Sequence, residues 1–359
     1  MMHSISLASA TKTKCQDCEV LPPPVADSGT LLLASADPLG LAETLRELGV
    51  VSASEAGLLT VPLTVGTLDR LASSASAEPQ RWDARALVMA EGCTPTPLAL
   101  MAARPVADLF AAVRGRWLAE LLRENRLTTY FQPIVTADNP NVTHGYECLL
   151  RGIDLAREPV PPGRLFAAAR DAGLLYHLDR SARITAIRSA MKHRISARLF
   201  INFYPTAIYN PATCLRTTFR ATAEVGLDPS RVVFEVVESE EVRDTQHLID
   251  LLAEYRRNGF RVALDDVGAG YSSLNLLARL QPDYVKIDMG LVRGVDTDRY
   301  KGEVVGKLLE MCKALGIESI AEGVESKGEW EWLRHHNATY VQGYLFARPS
   351  AEPTVPVGW

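Results

Sequence analysis

FRVALDDVGAGYSSLNLLARLQPDYVK, from Phe260 to Lys286, is the stretch that decides the fold. It begins with a short apolar run that ends on two adjacent acids, Asp265 and Asp266. A glycine turn and a helical segment follow, and a second apolar run then ends on Lys286. Strand, helix and strand in this order form the unit of a parallel sheet. Burying unpaired charges costs several kcal/mol, so two acids and a lysine at neighbouring strand ends indicate half of a metal-dependent site.

The same alternation of strand and helix continues on both sides of this stretch. Helical segments separate most of the predicted strands, which are 128–135, 143–150, 198–203, 231–237, 261–265, 284–287, 318–321 and 340–341. Eight strands alternating with helices are typical of the TIM-like (β/α)8 barrel, an α/β fold. A doubly wound open sheet is the alternative, but no G-x-G-x-x-G motif follows any of these strands.

Polar side chains stand where these strands end, and they are Glu147, Asn202, Glu235, Asp265, Asp266, Lys286, Glu322 and Gln342. Any one of them is well explained by a strand-end ion pair or a helix cap. In a parallel barrel, however, all the carboxyl ends meet at the face that carries active sites, so we expect the whole set to converge. Carboxylate and amide oxygens suit Mg²⁺ or Mn²⁺ better than Zn²⁺.

Adjacent acids such as Asp265 and Asp266 can flank two metal ions about 3.5–4 Å apart, the geometry of two-metal phosphoester hydrolysis. Lys286 is suited to take up or steady the proton of a water, because a lysine among bound cations has a lowered pKa. Arg151 is placed to bind a phosphate through two hydrogen bonds. The pattern therefore predicts a metal-dependent site for phosphoester hydrolysis.

The N-terminal third shows no comparable motif. Residues 1–27 are polar and then proline-rich, which predicts a flexible tail. The C-x-x-C pair in this tail, Cys15 and Cys18, is a candidate second metal or redox site, with no function as the equally weighted alternative. Residues 28–105 predict a small α/β or α+β domain, either regulatory or a packing unit. Residues 106–359 are assigned to the barrel, with one long amphipathic helix over 105–126 at the junction.

Composition excludes several classes of protein. The net charge of −5 gives no reason to expect a DNA or RNA polymer as partner. No apolar run approaches the roughly 20 residues that span a bilayer, and the N-terminus lacks the apolar core of a signal peptide. We therefore expect a soluble cytoplasmic protein without a membrane partner. The four other cysteines are predicted to be reduced core residues: Cys93, Cys148, Cys214 and Cys312.

The motifs taken together resemble those of the EAL-domain cyclic-di-GMP phosphodiesterases. The resemblance covers about residues 115–350, and the N-terminal domain is not recognised. The matching blocks are YFQPIV (130–135), YECLLR (146–151), LFINFYP (199–205), FEVVES (234–239), ALDDVGAGYSSLNLL (263–277), DYVKID (283–288), AEGVES (321–326) and VQGYLFARP (341–349). Each block alone is weak, but all of them in order make the resemblance specific.

The resemblance implies hydrolysis of cyclic-di-GMP to linear 5'-pGpG with two Mg²⁺ or Mn²⁺ ions, in a homodimer. The implied metal ligands are Glu147, Asn202, Glu235, Asp265 and Asp266. Lys286 resembles the family's general base or water-orienting lysine, and Glu322 and Gln342 resemble the groups that hold waters on the metals. Glu238 resembles the glutamate that steadies the loop after Asp266. The implied substrate contacts are Gln132, Arg151 and Glu325.

The sequence departs from the family at four positions. Cys148 replaces an alanine in the signature triplet, and Gly152 stands where a tryptophan commonly follows the arginine. Val267 and Ala269 replace a phenylalanine and a threonine in the loop after the adjacent acids. The alternative function is therefore a catalytically weak or silent receptor of cyclic-di-GMP, or a protein-interaction module. Hydrolysis is the leading hypothesis because no implied metal ligand is missing.

Overall fold

The computed structural model describes residues 20–55, 57–208, 214–237, 245–269 and 273–359. The predicted roles of Cys15, Cys18 and Glu238 lie outside these residues. Within the described ranges, no helix is both long enough and apolar enough to cross a membrane.

The N-terminal domain is a small antiparallel sheet with helices on it, the α+β form of the prediction. Its strands are β1 (Gly29–Ser35), β2 (Ala53–Glu55), β3 (Leu58–Leu63), β4 (Ala84–Met89) and β5 (Arg104–Pro105), in the order β2-β3-β1-β4-β5. Its helices are α1 (Pro38–Glu47), α2 (Thr67–Ala77) and α3 (Pro97–Met101). Leu31 and Leu33, two residues apart on β1, share one face and pack in a core with Leu45 of α1 and Leu71 of α2.

The junction contains two helices, so the prediction of one helix over 105–126 is wrong. Helix α4 (Val106–Arg114) and helix α5 (Arg116–Arg123) meet at Gly115, where a side chain would overlap Cβ of Ala172. Phe110 of α4 packs in the core of the N-terminal domain, whereas Leu121 of α5 packs in a cluster on the barrel side. The domain boundary after residue 105 stays a prediction. Helix α4, which follows that boundary, packs in the hydrophobic core of the N-terminal domain.

Eight strands close into the predicted barrel: β6 (Leu127–Thr136), β7 (Thr143–Ile153), β9 (Arg198–Phe203), β10 (Val232–Val237), β11 (Arg261–Val267), β12 (Tyr284–Ile287), β13 (Glu318–Ala321) and β14 (Tyr340–Val341). A short strand, β8 (Pro159–Val160), pairs with β7 outside this ring. The helices of the barrel are α6 (Pro162–Asp171), α7 (Leu175–Lys192), α8 (Arg216–Glu224), α9 (Thr245–Arg257), α10 (Ser273–Leu280), α11 (Met289–Val292), α12 (Arg299–Leu315) and α13 (Lys327–His335).

One strand of the ring runs against the others. Strand β6 is antiparallel to both β7 and β14, so the expectation of a wholly parallel barrel is wrong. The turn between β6 and β7 is too short for a crossover, and strands joined this way pair antiparallel. Gln132 consequently lies directly opposite Glu147, which is in the middle of β7 rather than at its end.

Side chains inside the barrel form three layers, because alternate residues of each strand point inward. The middle layer is a buried apolar cluster: Ile134, Phe200, Val233, Ala263, Tyr284 and Ile320. Two positions further along each strand, on one side of this apolar layer, the inward side chains form the acidic site described below. Two positions along on the opposite side, the inward side chains are those of Arg198, Arg261 and Glu318. The apolar layer thus separates two polar ends.

The cysteines follow the prediction at three of four positions. Cys148, Cys214 and Cys312 are buried thiols, as expected. Cys93 is a free thiol too, but it is exposed in the turn after β4 rather than part of a core.

Candidate metal centre

Lys286 is the centre of the acidic site. Strand β12 carries it inward, and its side chain is 1% exposed. Its Nζ lies 2.7 Å from Glu322 Oε1, 2.9 Å from Asp265 Oδ1 and 3.0 Å from Glu235 Oε1. Oε1 of Glu147 is 3.8 Å away. The strand ends therefore converge, as the sequence predicts, and four carboxylates surround one ammonium group.

A network of amides holds Glu147 in place. Gln342 Nε2 donates to Glu147 Oε2 at 2.6 Å and to Gln132 Oε1 at 3.1 Å. Asn202 Nδ2 donates to Glu147 Oε1 at 3.3 Å. Asn202 also lies beside Glu235 in the parallel pairing of β9 with β10. Donors from β9 and from the segment after β14 thus fix the carboxylate of Glu147 on β7.

Adjacent residues of a regular strand point to opposite faces, so Asp265 and Asp266 need a local distortion to share one site. The register of β11 against β12 shifts between Leu264 and Val267, which marks a bulge. Asp266 adopts a left-handed backbone with φ of 55°, and its N–H donates to Asp265 Oδ1 at 3.0 Å. This distortion brings oxygens of Asp265, Asp266 and Glu322 within 4.8 Å of one another.

The carboxylates are held at an electrostatic cost. Burial raises the pKa of Glu235 and of Glu322 well above the usual range. Burial and the neighbouring Asp265 raise the pKa of Asp266 to about 6. Burial also lowers the pKa of Lys286, but the surrounding carboxylates outweigh that effect and raise it well above its usual value. This rise in the pKa of Lys286 is opposite to the fall that is expected for a lysine among bound cations.

The donor set fits divalent cations. Both carboxylate oxygens of Glu235 are buried and, among the described residues, make no hydrogen bond; the approach of Lys286 is an ion pair without hydrogen-bond geometry. A buried carboxylate normally has hydrogen-bond partners or a metal. Oxygen donors from several acids and one amide are the set that Mg²⁺, Mn²⁺ or Ca²⁺ prefers. The residues that could hold such ions are Glu147, Asn202, Glu235, Asp265, Asp266 and Glu322.

A cleft of about 200 Å³ opens beside this cluster. The predicted residues in its lining are Gln132, Glu147, Asp266, Glu322, Glu325 and Gln342. Its lining also includes four residues that were not predicted from the sequence: Asp288, Met289, Arg293 and Tyr344. Spacing along the chain could have identified two of these residues. Tyr344 is an aromatic residue two positions after Gln342, and Asp288 is an acid two positions after Lys286. A larger cleft of about 830 Å³ lies between the N-terminal domain and the barrel, away from the carboxylates.

The predicted substrate contacts lie in different surroundings. Gln132 is buried in the amide network, and its Nε2 donates to Ala347 O at 3.3 Å. The guanidinium group of Arg151 lies 5.0 Å from the centre of the Tyr130 ring and donates to its neighbour Leu150 O. Glu325 is exposed and forms an ion pair with Arg293. Only Gln132 therefore contacts the acidic cluster directly.

A closed barrel with a buried lysine among carboxylates at its strand ends defines the class of protein: a barrel whose polar site could hold divalent cations. Within that class the chain belongs to the EAL domain family, whose model matches residues 115–349. Probable cyclic di-GMP phosphodiesterase PdeG of Escherichia coli is 30% identical over 246 residues, which are 65% of this chain and 46% of that protein.

Two solved structures extend the comparison. A standalone EAL protein of Vibrio cholerae in its c-di-GMP bound form is 37% identical, with a TM-score of 0.58 over 64% of this chain and 95% of that chain. The manganese and cyclic-di-GMP complex of Klebsiella pneumoniae BlrP1 is 25% identical, with a TM-score of 0.57 over 89% of this chain and 96% of that chain. The match spans only 29%, 32% and 46% of three curated relatives, so it concerns one part of those longer proteins.

Proposed function

We propose that this chain hydrolyses cyclic-di-GMP to linear 5'-pGpG with two divalent cations, Mg²⁺ or Mn²⁺. The observation that carries the proposal is the pair of buried Glu235 oxygens without hydrogen bonds, set among Asp265, Glu147 and Glu322. When bound, the cations would activate a water and neutralise charge on the phosphodiester. The manganese and calcium complexes of BlrP1 with cyclic-di-GMP support a divalent cation and this dinucleotide as the ligands of the site.

The residues of this chain have separate tasks in the proposed reaction. Asp265 and Asp266 would hold the cations, and the bulge in β11 keeps the two acids on one side of the strand. The amides of Gln342 and Asn202 fix the carboxylate of Glu147, which limits its motion when a cation binds. Lys286 holds a proton among these carboxylates, and in the proposed reaction it would orient the attacking water or exchange a proton with it.

The substrate would lie in the cleft beside the carboxylates. Its phosphates carry negative charge, which the cations and the guanidinium group of Arg293 in the lining of the cleft would bind. Arg151, which does not line the cleft, stays the phosphate contact that the resemblance implies. Tyr344 lines the same cleft, and a guanidinium group, that of Arg348, lies 4.3 Å from the centre of its ring. A purine base can stack on such a ring. Glu325, paired with Arg293, would be free to accept hydrogen bonds from guanine once the arginine turns to phosphate.

A silent receptor of cyclic-di-GMP is the second candidate. The observation that favours it is Val267, which is 1% exposed after the adjacent acids, where the family commonly has an aromatic ring. A smaller side chain at this position holds the following loop less firmly. Binding without turnover is the result that this candidate predicts.

We also propose that the N-terminal domain regulates the barrel and that the chain works as a cytoplasmic homodimer. Two ion pairs support communication at the junction: Arg114 Nε lies 3.0 Å from Asp171 Oδ2 of α6, and Arg116 Nη1 lies 2.7 Å from Asp27 Oδ1. Light scattering tests the dimer. Comparing the turnover of the full chain with that of an Arg114→Gln variant tests the regulation.

Turnover of cyclic-di-GMP by the purified chain, followed by chromatography with Mg²⁺, Mn²⁺ or EDTA, tests the main proposal. We expect 5'-pGpG with either metal, none with EDTA, and a loss of at least about 100-fold in Glu147→Ala and Glu235→Gln. Glu310→Gln, on the exposed face of α12, is the matched control and should keep full activity. Intact substrate that nevertheless binds would favour the silent receptor instead.

A further inference from the structure

The barrel has a second polar end, opposite the acidic site. Arg198 begins β9 and Arg231 immediately precedes β10, and the parallel pairing of Val232 with Leu199 places the two arginines side by side on neighbouring strands. Counting inward residues gives the same order on each strand: arginine, an apolar residue such as Phe200 or Val233, then Asn202 or Glu235. The arginines therefore lie on the far side of the apolar layer from the metal centre.

Neither arginine has a carboxylate within ion-pair distance among the described residues. The carboxylate nearest to the pair in charge effect is that of Asp228, whose pKa is lowered by hydrogen bonds from Ser230 and, to a smaller extent, by the charge of Arg231. Three acids stand near this end. Asp283 lies 3.7 Å from Arg261 and accepts from Val262 N at 2.9 Å, and Asp228 accepts from Ser230 N at 2.9 Å. Glu318 Oε2 lies 3.9 Å from His144 Nε2 and has no hydrogen-bond partner among the described residues. Like charges on neighbouring strands repel each other, so two adjacent unpaired guanidinium groups destabilise this end of the barrel. Their arrangement calls for a counter-charge.

Both arginines also have a hydrogen-bond donor that is left without a partner among the residues that the structure describes. Arg231 Nη2 donates to Ile195 O at 2.5 Å and to Ala197 O at 3.2 Å, which fixes its orientation. The Nε atoms of Arg198 and Arg231 are both buried and, within the described part of the chain, neither has a hydrogen-bond partner. Buried donors in native proteins are nearly always satisfied by protein, water or an ion.

A pocket of about 470 Å³ lies against the two arginines. Its lining also includes Ser196, Ser230 and His144. Burial and the charges of Arg198 and Arg261 lower the pKa of His144 to about 4, so it is neutral at neutral pH and donates or accepts without adding charge. The pocket thus offers several donors and two positive charges, with room for more than one small ion.

We propose that this pocket binds a phosphate group, as inorganic phosphate or as a phosphate monoester. A tetrahedral dianion supplies a counter-charge in contact with the pair, and its oxygens accept from Arg198, Arg231 and the Ser196 hydroxyl. The size of the pocket leaves space for the organic part of an ester. The site is separate from the metal centre, so the proposal stands whether or not the chain is an active phosphodiesterase.

Calorimetric titration of the full chain in EDTA with inorganic phosphate tests the proposal. Without metals the carboxylates repel phosphate, so the acidic site does not contribute. We expect one saturable site per chain and a Kd weakened by about tenfold in Arg198→Gln, the factor for one lost charge-assisted hydrogen bond. Arg198→Lys keeps the charge but lacks the Nε donor, and should give an intermediate Kd. A second titration with glycerol phosphate shows which form binds more tightly.

Arg188→Gln is the matched control, because it removes the same charge from an exposed position on α7. It should leave the Kd unchanged, and circular dichroism should show that every variant is folded. Phosphate that fails to bind, or that binds Arg198→Gln and Arg198→Lys as tightly as the native chain, would overturn the proposal. In that case the arginines serve only to close the end of the barrel.

Discussion

Lys286 Nζ lies 2.9 Å from Oδ1 of Asp265, across the pairing of two neighbouring parallel strands. Each of these residues follows an apolar run, so the contact exists only because the two runs pair in register. Lys286 also contacts Glu235 and Glu322, and it balances part of the charge of the carboxylates in the absence of metal. Lys286 and the proposed metal ions would therefore stabilise the same acids.

This shared role predicts the behaviour of Lys286→Met. Without metal, removal of the buried ammonium group leaves the carboxylates unpaired and should lower the free energy of unfolding by about 3–5 kcal/mol. Mg²⁺ replaces the lost positive charge, so the ion should raise the stability of the variant more than that of the native chain. Urea unfolding with and without Mg²⁺ measures both quantities.

Lys307→Met is the control, because Lys307 forms an exposed ion pair with Glu310 on α12. It should change stability by less than about 1 kcal/mol in either condition. If Mg²⁺ stabilises Lys286→Met no more than the native chain, the lysine and the ions do not share the carboxylates.

The sequence determines much of this fold because its strands are short apolar runs with clear ends. The predicted strands 198–203, 284–287, 318–321 and 340–341 coincide with β9, β12, β13 and β14. The antiparallel direction of β6 was missed because the strand pattern is the same in either direction. The break at Gly115 was missed because its cause, a close approach to Ala172, joins residues far apart in sequence.

The site shows the same division between local and distant causes. Residue type and position after an apolar run are enough to single out Glu235, Asp265 and Lys286. The hydrogen bond from Gln342 to Glu147 depends on the closing of the barrel, which brings the last strand beside the first pair. The bulge that turns Asp266 into the site also depends on the neighbouring strand. Arg293 reaches the cleft through a loop, where no strand pattern identifies it.

Gly152 is predicted to be required for packing. A Cβ atom here would lie 3.0 Å from side-chain carbons of both Leu121 and Leu165 and 3.3 Å from Cβ of Val160. Gly152→Ala should therefore cost about 1–3 kcal/mol, the usual cost of overpacking. Gly163→Ala, with no atom within 4 Å of its added methyl group, should cost less than about 0.5 kcal/mol. Equal denaturation midpoints for the two variants would contradict this account.

Val267→Phe restores the aromatic residue that the family commonly has in the loop. Val267 is fully buried and lies beside Ile287 in the pairing of β11 with β12, so we expect a loss of about 1–3 kcal/mol. Ala269→Thr, two residues on and exposed, should be tolerated within about 0.5 kcal/mol. Thermal unfolding of the two variants separates these effects. A more stable Val267→Phe would mean that this position holds an unfilled cavity.

His144 predicts a dependence of stability on pH. Its ring stacks on Tyr340 at 3.7 Å between centroids, and its Nε2 lies 3.3 Å from the Tyr284 hydroxyl. Burial and the nearby arginines lower the pKa of His144 to about 4 in the folded chain, whereas an unfolded histidine has a pKa of about 6.5. Between these values the unfolded chain binds more protons, so the free energy of unfolding should fall as the pH drops from 7 toward 4.

The slope that His144 contributes is at most about 1.4 kcal/mol per pH unit. His144→Phe keeps a ring for stacking but cannot take up a proton, so its urea unfolding should depend less on pH over this range. His335→Gln, at an exposed position on α13, should keep the slope of the native chain. A slope that is the same in His144→Phe and the native chain would show that His144 is protonated equally in the folded and unfolded states.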